Sequence, residues 1–193
     1  MRYVDGIPKP VIGCDIDDVV FHLLPNLIKY YNLKYGTNKA LKDVWDLRYE
    51  SVNICDIVEK HKLYKNMMPT RILHFLKQKR KDIYLIMITA RKDIYVDDTM
   101  SELYNHGLEF DDIFMGEKKS KVCRLENVDH FFDDALHNVI DVYENAPKTK
   151  PYLVKRAWND REEVNKLEAK GIKVPNGIIK LTEDEVYEVL KSI

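Results

Sequence analysis

Three carboxylates follow an apolar run near the start of the chain, in the sequence VIGCDIDDVV at residues 11–20. They belong to Asp15, Asp17 and Asp18. Neighbouring carboxylates repel one another, and each loses hydration if it is buried. Such a group of acids therefore either faces water, as in an ordinary turn or helix cap, or holds a cation. Carboxylate oxygens suit a hard cation such as Mg²⁺.

Other polar residues follow three later apolar runs. Thr89 ends IYLIMIT, a basic cluster at residues 118–121 follows DDIFMG, and Asp133 and Asp134 end DHFFDD. If these runs are parallel strands, their carboxyl ends meet at one edge of the sheet, where ligands gather. A threonine hydroxyl and a lysine at that edge could hold phosphoryl oxygens. Each feature alone could instead be a solvated surface group or a helix cap.

Strands and helices are predicted to alternate along the chain. IYLIMIT is a continuous apolar run, typical of a strand that is covered on both faces. Pro69 suits the first turn of a helix, Ser120 suits a helix N-cap, and Thr182 with Glu185 forms a capping box. Alternation of this kind predicts an α/β fold with a Rossmann-like parallel sheet. The predicted strands are PVIGCDI, IYLIMIT, DDIFMG, DHFFDD and PYLVKR, and the predicted helices are TRILHFLKQKRK, DDTMSELYNHG, KVCRLENV, ALHNVIDVYENA and LTEDEVYEVLKSI.

Residues 21–69 interrupt this alternation directly after the first strand. LLPNLIKYYNLKYG has helical spacing, and the following stretch shows no period-2 pattern, so short helices are expected. We therefore predict a core made of residues 1–20 and 70–193. Residues 21–69 are predicted to form a small helical cap above the edge of the sheet that carries the acids.

Composition narrows the function classes. The chain has 193 residues, 45% of them hydrophobic and 33% charged, so it can bury a core. The net charge of -1 argues against a generally basic surface for nucleic acid. No apolar run is long enough to span a bilayer. Cys14, Cys55 and Cys123 lack the spacing of a metal site, which favours free thiols in a reducing compartment and hence a cytoplasmic location. Composition does not indicate an oligomeric state.

Taken in order, four motifs resemble those of haloacid dehalogenase-like (HAD) phosphatases. DIDDVV resembles the DxDx[TV] motif, IMIT the second motif, a lysine after the third strand the third motif, and FFDD the fourth. The resemblance covers roughly residues 11–140. Each motif alone is weak, but all four in order are specific. Within the superfamily, ITAR and GEKKSKVC…FFDD look most like 5'(3')-deoxyribonucleotidases and short bacterial and phage nucleotidase-like proteins.

The resemblance implies a role for each matched residue. Asp15 would be the nucleophile that forms an aspartyl-phosphate, and Asp17 would protonate the leaving oxygen and then activate water. Thr89 would hydrogen-bond a phosphoryl oxygen. Lys119 is the preferred phosphate-binding lysine, with Lys121 as the alternative.

The resemblance also implies a Mg²⁺ ion. Its protein ligands would be the carboxylate of Asp15, the backbone carbonyl of Asp17 and the carboxylate of Asp133. Asp134 is the alternative to Asp133, because the sequence does not distinguish the two. Asp18 stands where many members of the family have glycine.

The implied substrate is a small phosphate monoester, and the closest resemblance suggests a nucleoside monophosphate. Aromatic residues of the predicted cap could stack on the base, although they could equally form the core of the cap. Deoxyribonucleotidases carry an acidic residue shortly after the first motif, whereas this chain has Phe21 and His22, which puts the substrate in doubt. The aromatic residues in question are Tyr30, Tyr31, Tyr35, Trp45 and Tyr49.

Other functions share some of these features. A polynucleotide end phosphatase or a small-metabolite phosphatase of the same superfamily would use the same four motifs. A signalling receiver domain also combines acids, a threonine and a lysine, but its phosphate acceptor follows the third strand rather than the first. A non-catalytic protein with this fold is disfavoured, because Asp15, Asp17, Thr89 and Asp133 are all present.

Overall fold

The computed structural model describes residues 2–4, 6–43, 54–159, 161–169 and 171–193. The predicted α/β fold is confirmed. In chain order the elements are β1 (Arg2–Val4), β2 (Ile7–Lys9), β3 (Val11–Cys14), β4 (Phe21–His22), α1 (Leu24–Tyr35), α2 (Ile54–His61), β5 (Met68–Pro69), α3 (Arg71–Lys79), β6 (Tyr84–Thr89), a 3-10 turn (Asp93–Tyr95), α4 (Val96–Asn105), β7 (Asp112–Met115), α5 (Lys119–Leu125), β8 (His130–Asp133), α6 (Leu136–Asn145), β9 (Lys150–Val154), α7 (Arg161–Ala169), β10 (Ile179–Leu181) and α8 (Glu183–Ser192).

Six of the described strands form one parallel sheet in the order β10-β9-β8-β3-β6-β7. The most apolar strands, β3, β6 and β8, lie at its centre, and buried side chains cover them on both faces. The chain leaves β3 between its two neighbours, and the backbone N–H of Asp15 donates to the carbonyl of Phe132 in β8 (2.9 Å). The residues that follow β3, β6 and β8 therefore meet at one edge of the sheet.

The two ends of the 21–69 segment, called the insertion below, lie side by side. β4 pairs with β5 in antiparallel register, with Phe21 opposite Pro69. The hydroxyl of Thr70 donates to the carbonyl of Val19 (2.6 Å), which ties the exit of the insertion to its entrance. The prediction that Pro69 opens a helix was wrong: Pro69 lies in this short ladder, and α3 begins at Arg71.

The helix that follows β7 begins earlier than the sequence indicated. Ser120 was predicted to be an N-cap, but α5 starts at Lys119 with Lys118 in the capping position. Ser120 of α5 lowers the pKa of the Asp141 carboxyl on the neighbouring helix α6, so Ser120 faces that helix instead of capping its own. The capping box of Thr182 and Glu185 at the start of α8 is confirmed.

Some elements were not predicted at all. The β1–β2 hairpin precedes the sheet, and α7 and β10 extend the fold after β9. Among the described helices, none is both long and apolar enough to cross a bilayer. All three cysteines lie in the described part of the chain, and no disulfide joins them.

Candidate active site

A buried ion cluster lies at the carboxyl ends of the central strands. Lys119, at the first position of α5, extends its ammonium group between Asp15 after β3 and Asp133 at the end of β8. The Nζ atom is 2.5 Å from Oδ1 of Asp15 and 2.6 Å from Oδ2 of Asp133. All three side chains are almost completely excluded from solvent. Lys121, the alternative phosphate-binding lysine, instead pairs with Glu117 on the surface. Phosphate binding by Lys119 stays a prediction.

Asp134 completes the acidic cluster. One oxygen from each of Asp15, Asp133 and Asp134 lies within 4.8 Å of the others. Three buried carboxylates thus lie close to one buried lysine, which pairs with Asp15 and Asp133. This oxygen-rich, anionic arrangement fits a hard divalent cation.

The pKa shifts of these residues reflect the same excess of buried negative charge. Burial raises the pKa of Asp15 well above its usual value, and Asp133 adds to the increase while Lys119 opposes it. Burial and the adjacent Asp133 raise the pKa of Asp134 to about 7. Burial alone would lower the pKa of Lys119, but Asp133 and Asp15 outweigh it and raise that pKa. Lys119 therefore stays charged, and its single positive charge does not balance the negative charge of the three carboxylates.

The two neighbouring acids of the FFDD motif have different partners. Oδ1 of Asp133 accepts from the backbone N–H of Ala135 (2.8 Å), and Oδ2 accepts from Lys119 and from the side-chain amide of Asn138 (3.1 Å). Asp134 has its Oδ2 bound to the indole N–H of Trp158 (2.7 Å). Asp134 lines the open cavity beside the cluster, and Asp133 does not.

That cavity has a volume of about 220 Å³. Its polar lining consists of aspartates, Lys119 and Asn138, whereas most of its apolar lining consists of aliphatic side chains from the insertion. Among the residues that the structure describes, no aromatic side chain lines it. The lining residues are Asp15, Asp17, Asp18, Leu23, Leu24, Leu27, Ile54, Ala90, Lys119, Asp134, Ala135 and Asn138.

Asp17 lines the cavity, but its carboxylate does not join the acidic cluster. It pairs with the guanidinium of Arg91, with Nη2 at 2.6 Å from Oδ1 and Nε at 3.0 Å from Oδ2. From its place in ITAR alone, Arg91 could equally contact a substrate phosphate or lie on the surface. The structure excludes a surface position, because Arg91 is only 2% exposed.

Thr89 lies at the end of β6, as predicted, and is fully buried. Its hydroxyl accepts a hydrogen bond from the backbone N–H of Arg91 (3.2 Å). The next residue, Ala90, lines the cavity instead of Thr89. Contact between the Thr89 hydroxyl and a phosphoryl oxygen therefore stays a prediction.

Asp18 has a structural role that sequence reasoning overlooked. Its φ of 59° is in the left-handed region, which glycine adopts most readily. An aspartate tolerates this conformation better than most residues. Its carboxylate accepts from the backbone N–H groups of Leu23 (3.2 Å) and Leu24 (3.1 Å), which fixes the start of α1 beside the cavity.

Sequence reasoning missed two more residues that contact the cluster. Asn138 lies in the first turn of α6, and Trp158 lies beyond the carboxyl end of β9. The position of Trp158 shortly after the predicted strand PYLVKR was a usable signal, because the other site residues also lie at the ends of predicted strands. Asn138 carried no comparable signal, because its role depends on how α6 packs.

The described members of the aromatic set that was considered for base stacking pack against side chains of the insertion itself. Tyr30 stacks on His61 with ring centroids 4.0 Å apart, and Tyr31 is buried against Tyr35. Trp45 and Tyr49 lie outside the described residues.

Comparison with known proteins identifies similar structures but no similar sequences. The sequence matches no protein-family model and no curated protein. The fold is similar to a HAD family hydrolase from Deinococcus radiodurans with bound phosphate and sodium, at a TM-score of 0.63 and 10% identity over 96% of both chains. It is also similar to the L-2-haloacid dehalogenase from Xanthobacter autotrophicus, at a TM-score of 0.55 and 8% identity over 96% of this chain and 100% of the other.

A phosphoserine phosphatase in its apo form is a third structural neighbour. Its TM-score is 0.56 at 13% identity, over 96% of this chain and all of the other. At such low identities the likeness establishes only the fold, which this chain shares with these three proteins. The chemistry of this chain must be argued from its own residues.

Proposed function

We propose that this chain is a Mg²⁺-dependent phosphomonoesterase that acts through an aspartyl-phosphate. The observation that carries the proposal is the position of Asp15. Its carboxylate lies at the carboxyl end of the central strand, lines the cavity and is held at one oxygen by Lys119. A carboxylate in this position can act as a nucleophile toward an electrophile bound in the cavity.

The acidic cluster supports a magnesium site. Asp15, the backbone carbonyl of Asp17 and an acid of the FFDD motif would hold the ion, which would neutralise charge on the phosphoryl group. The sequence favoured Asp133 as the last of these ligands. We now propose Asp134, because Asp133 has hydrogen bonds at both oxygens, whereas Asp134 lines the cavity.

The reaction can be written with this chain's own groups. A carboxylate oxygen of Asp15 forms a bond to phosphorus as the bond to the ester oxygen breaks, and Asp17 donates a proton to the departing alkoxide. Water then loses a proton to the Asp17 carboxylate and attacks phosphorus, which releases Asp15 and inorganic phosphate. Lys119 holds Asp15 in place, and Thr89 and Lys119 are the proposed partners of the phosphoryl oxygens.

The proposed substrate is a small phosphate monoester, and a nucleoside monophosphate is the more specific proposal. The nucleotide rests on the motif resemblance. The cavity offers aliphatic contacts from Leu24, Leu27 and Ile54 to whatever group carries the phosphate. A base would have to stack on Trp45 or Tyr49, since the described aromatic residues pack elsewhere. The absence of a disulfide among the three cysteines supports the proposed cytoplasmic location.

A phosphatase assay with and without Mg²⁺ tests the function. We expect p-nitrophenyl phosphate to be hydrolysed by the wild type with Mg²⁺ and not by the Asp15→Asn variant. Hydrolysis by the variant at the wild-type rate would overturn the proposal. Comparing kcat/KM for thymidylate and ribose 5-phosphate then tests the proposal of a nucleotide substrate. Base stacking is worth about 1–3 kcal/mol, so we expect kcat/KM to be higher for thymidylate by roughly one to two orders of magnitude. Equal values of kcat/KM would contradict the proposal of a nucleotide substrate but not the proposal of a phosphatase.

A further inference from the structure

Almost every N–H donor of the Arg91 guanidinium has a partner within the protein. Nε and Nη2 grip the carboxylate of Asp17, and Nη1 donates to the hydroxyl of Thr99 (3.1 Å). Nη2 also contacts the sulfur of Met67 (3.6 Å), and the ring of Tyr64 covers the guanidinium face at 4.1 Å. This set of partners leaves the group little freedom to turn toward a substrate phosphate.

The partners of Arg91 come from separate parts of the fold. Thr99 belongs to α4 of the core, whereas Tyr64 and Met67 belong to the chain that leaves α2 and returns to the core through β5. Asp17 lies in the loop after β3. Arg91 therefore joins the candidate proton-transfer residue to the exit segment of the insertion, which we define as residues 62–67.

The exit segment is itself anchored on the core. The buried carboxylate of Glu102 in α4 accepts from the backbone N–H groups of Asn66 (2.9 Å) and Met67 (2.6 Å). Lys65 pairs with Asp98 of the same helix (2.9 Å). Tyr64 and Met67 thus present a fixed surface to Arg91, and this surface determines where the guanidinium lies.

The consequence falls on the orientation of Asp17. A planar guanidinium that grips both oxygens fixes the plane of a carboxylate, which a lysine ammonium cannot do because it is a point charge. The Asp17 side chain remains 22% exposed, toward the cavity that also contains Asp15. Its remaining lone pairs are therefore available to a substrate or a water in that cavity.

We infer that Arg91 is a positioning residue, which aims the Asp17 carboxylate at the cavity and takes its own position from Tyr64 and Met67 of the exit segment. This inference rests on the proposed function, since it uses the proton-transfer role of Asp17. Arg91 would act on both transfers: the proton given to the leaving oxygen and the proton taken from water. Misplacing a catalytic group by about 1 Å can cost about 10²-fold in rate.

The Arg91→Lys variant tests the inference with two substrates. An alkyl phosphate needs its leaving oxygen protonated, whereas p-nitrophenyl phosphate has a leaving group that departs without help. We expect turnover of the alkyl phosphate to fall by about 10²-fold. With p-nitrophenyl phosphate, formation of the aspartyl-phosphate should be nearly unaffected while its hydrolysis slows. Rapid mixing should then show a burst of one p-nitrophenolate per active site, which the wild type lacks or shows only weakly.

A purely structural role for Arg91 gives a different result. General damage to the site would lower the turnover of both substrates equally and would give no burst. Equal losses of turnover, or unchanged turnover, would overturn the inference. The matched control is Arg80→Lys, which alters an arginine that pairs with Asp111 away from the cavity. This control variant should leave the turnover of both substrates unchanged. Calorimetric Mg²⁺ titration should give the same affinity for the Arg91→Lys variant and the wild type.

A second variant covers the case in which Arg91→Lys does not fold. Tyr64→Leu keeps an apolar contact but removes the ring face from the guanidinium, so we expect the same leaving-group dependence at about tenfold. Absence of that dependence in a folded Tyr64→Leu protein would overturn the inference. Failure of the proposed function is separate, because it would appear as a wild type that hydrolyses neither substrate.

Discussion

Replacing Asp134 with asparagine should make the metal-free protein more stable while it removes metal binding. Burial and the neighbouring Asp133 raise the pKa of Asp134 from 3.8 to about 7. The folded state then binds a proton more tightly than the unfolded state does. Stability from this group is therefore fully present below about pH 4 and is lost as pH rises toward about pH 7.

The size of the effect follows from the shift. Each pKa unit corresponds to about 1.36 kcal/mol, so ionised Asp134 costs the metal-free protein up to about 4 kcal/mol above neutral pH. Asparagine cannot ionise, and its carbonyl oxygen can still accept from the indole N–H of Trp158. The Asp134→Asn variant should thus gain up to about 4 kcal/mol in free energy of unfolding at about pH 8 and almost nothing at about pH 4.

Urea unfolding with EDTA, repeated across this pH range, measures the gain. Mg²⁺ should then stabilise the wild type and not the variant, because a ligand stabilises only the state that binds it. The control is Asp97→Asn, the same chemical change at an exposed position. A variant that is less stable than the wild type without metal at about pH 8, or one that Mg²⁺ still stabilises, would refute this reasoning.

Other substitutions give independent checks. Asp17→Asn should fold normally and lose about 10²–10⁴-fold in kcat on an alkyl phosphate in steady-state assays, and undiminished turnover would remove Asp17 from the mechanism. Lys119→Met leaves Asp15 and Asp133 without their cation and should lower the free energy of unfolding by about 3–5 kcal/mol in urea, whereas a loss below about 1 kcal/mol would contradict the buried cluster. Thr182→Ala removes a capping box and should cost about 1 kcal/mol, with an unchanged melting temperature as the contrary result.

The central strands and their polar ends could be predicted because two local signals coincide there. β3, β6 and β8 are apolar runs, and each ends in, or is directly followed by, a residue that is costly to bury without a partner. Parallel pairing then places Asp15, Thr89 and Asp133 at one edge. No side-chain contact had to be known for that inference.

The choice between Asp133 and Asp134 could not be made from the sequence. It depends on Asn138 reaching back from α6 and on Trp158 arriving after β9, and both follow from packing between elements. The start of α5 was misjudged for the same reason, since Ser120 lies inside the helix, beside Asp141 of α6.

Arg91 and Asp18 show a different limit. A single arginine after a strand reads equally well as a surface residue or a phosphate ligand, and only the folded chain reveals Tyr64 and Met67 around it. The left-handed φ of Asp18 depends on the turn that joins β3 to β4. α7 and β10 carry too weak an apolar pattern to be predicted locally.

Trapping the covalent intermediate tests the central claim most directly. The Asp17→Asn variant, mixed with p-nitrophenyl phosphate and Mg²⁺ and quenched in acid, should gain the mass of one phosphoryl group. Peptide mass spectrometry should place that group on Asp15, and Asp15→Asn should gain nothing. If phosphate is released with no phosphoryl group on Asp15, or if the group is found on another residue, the proposed mechanism is wrong.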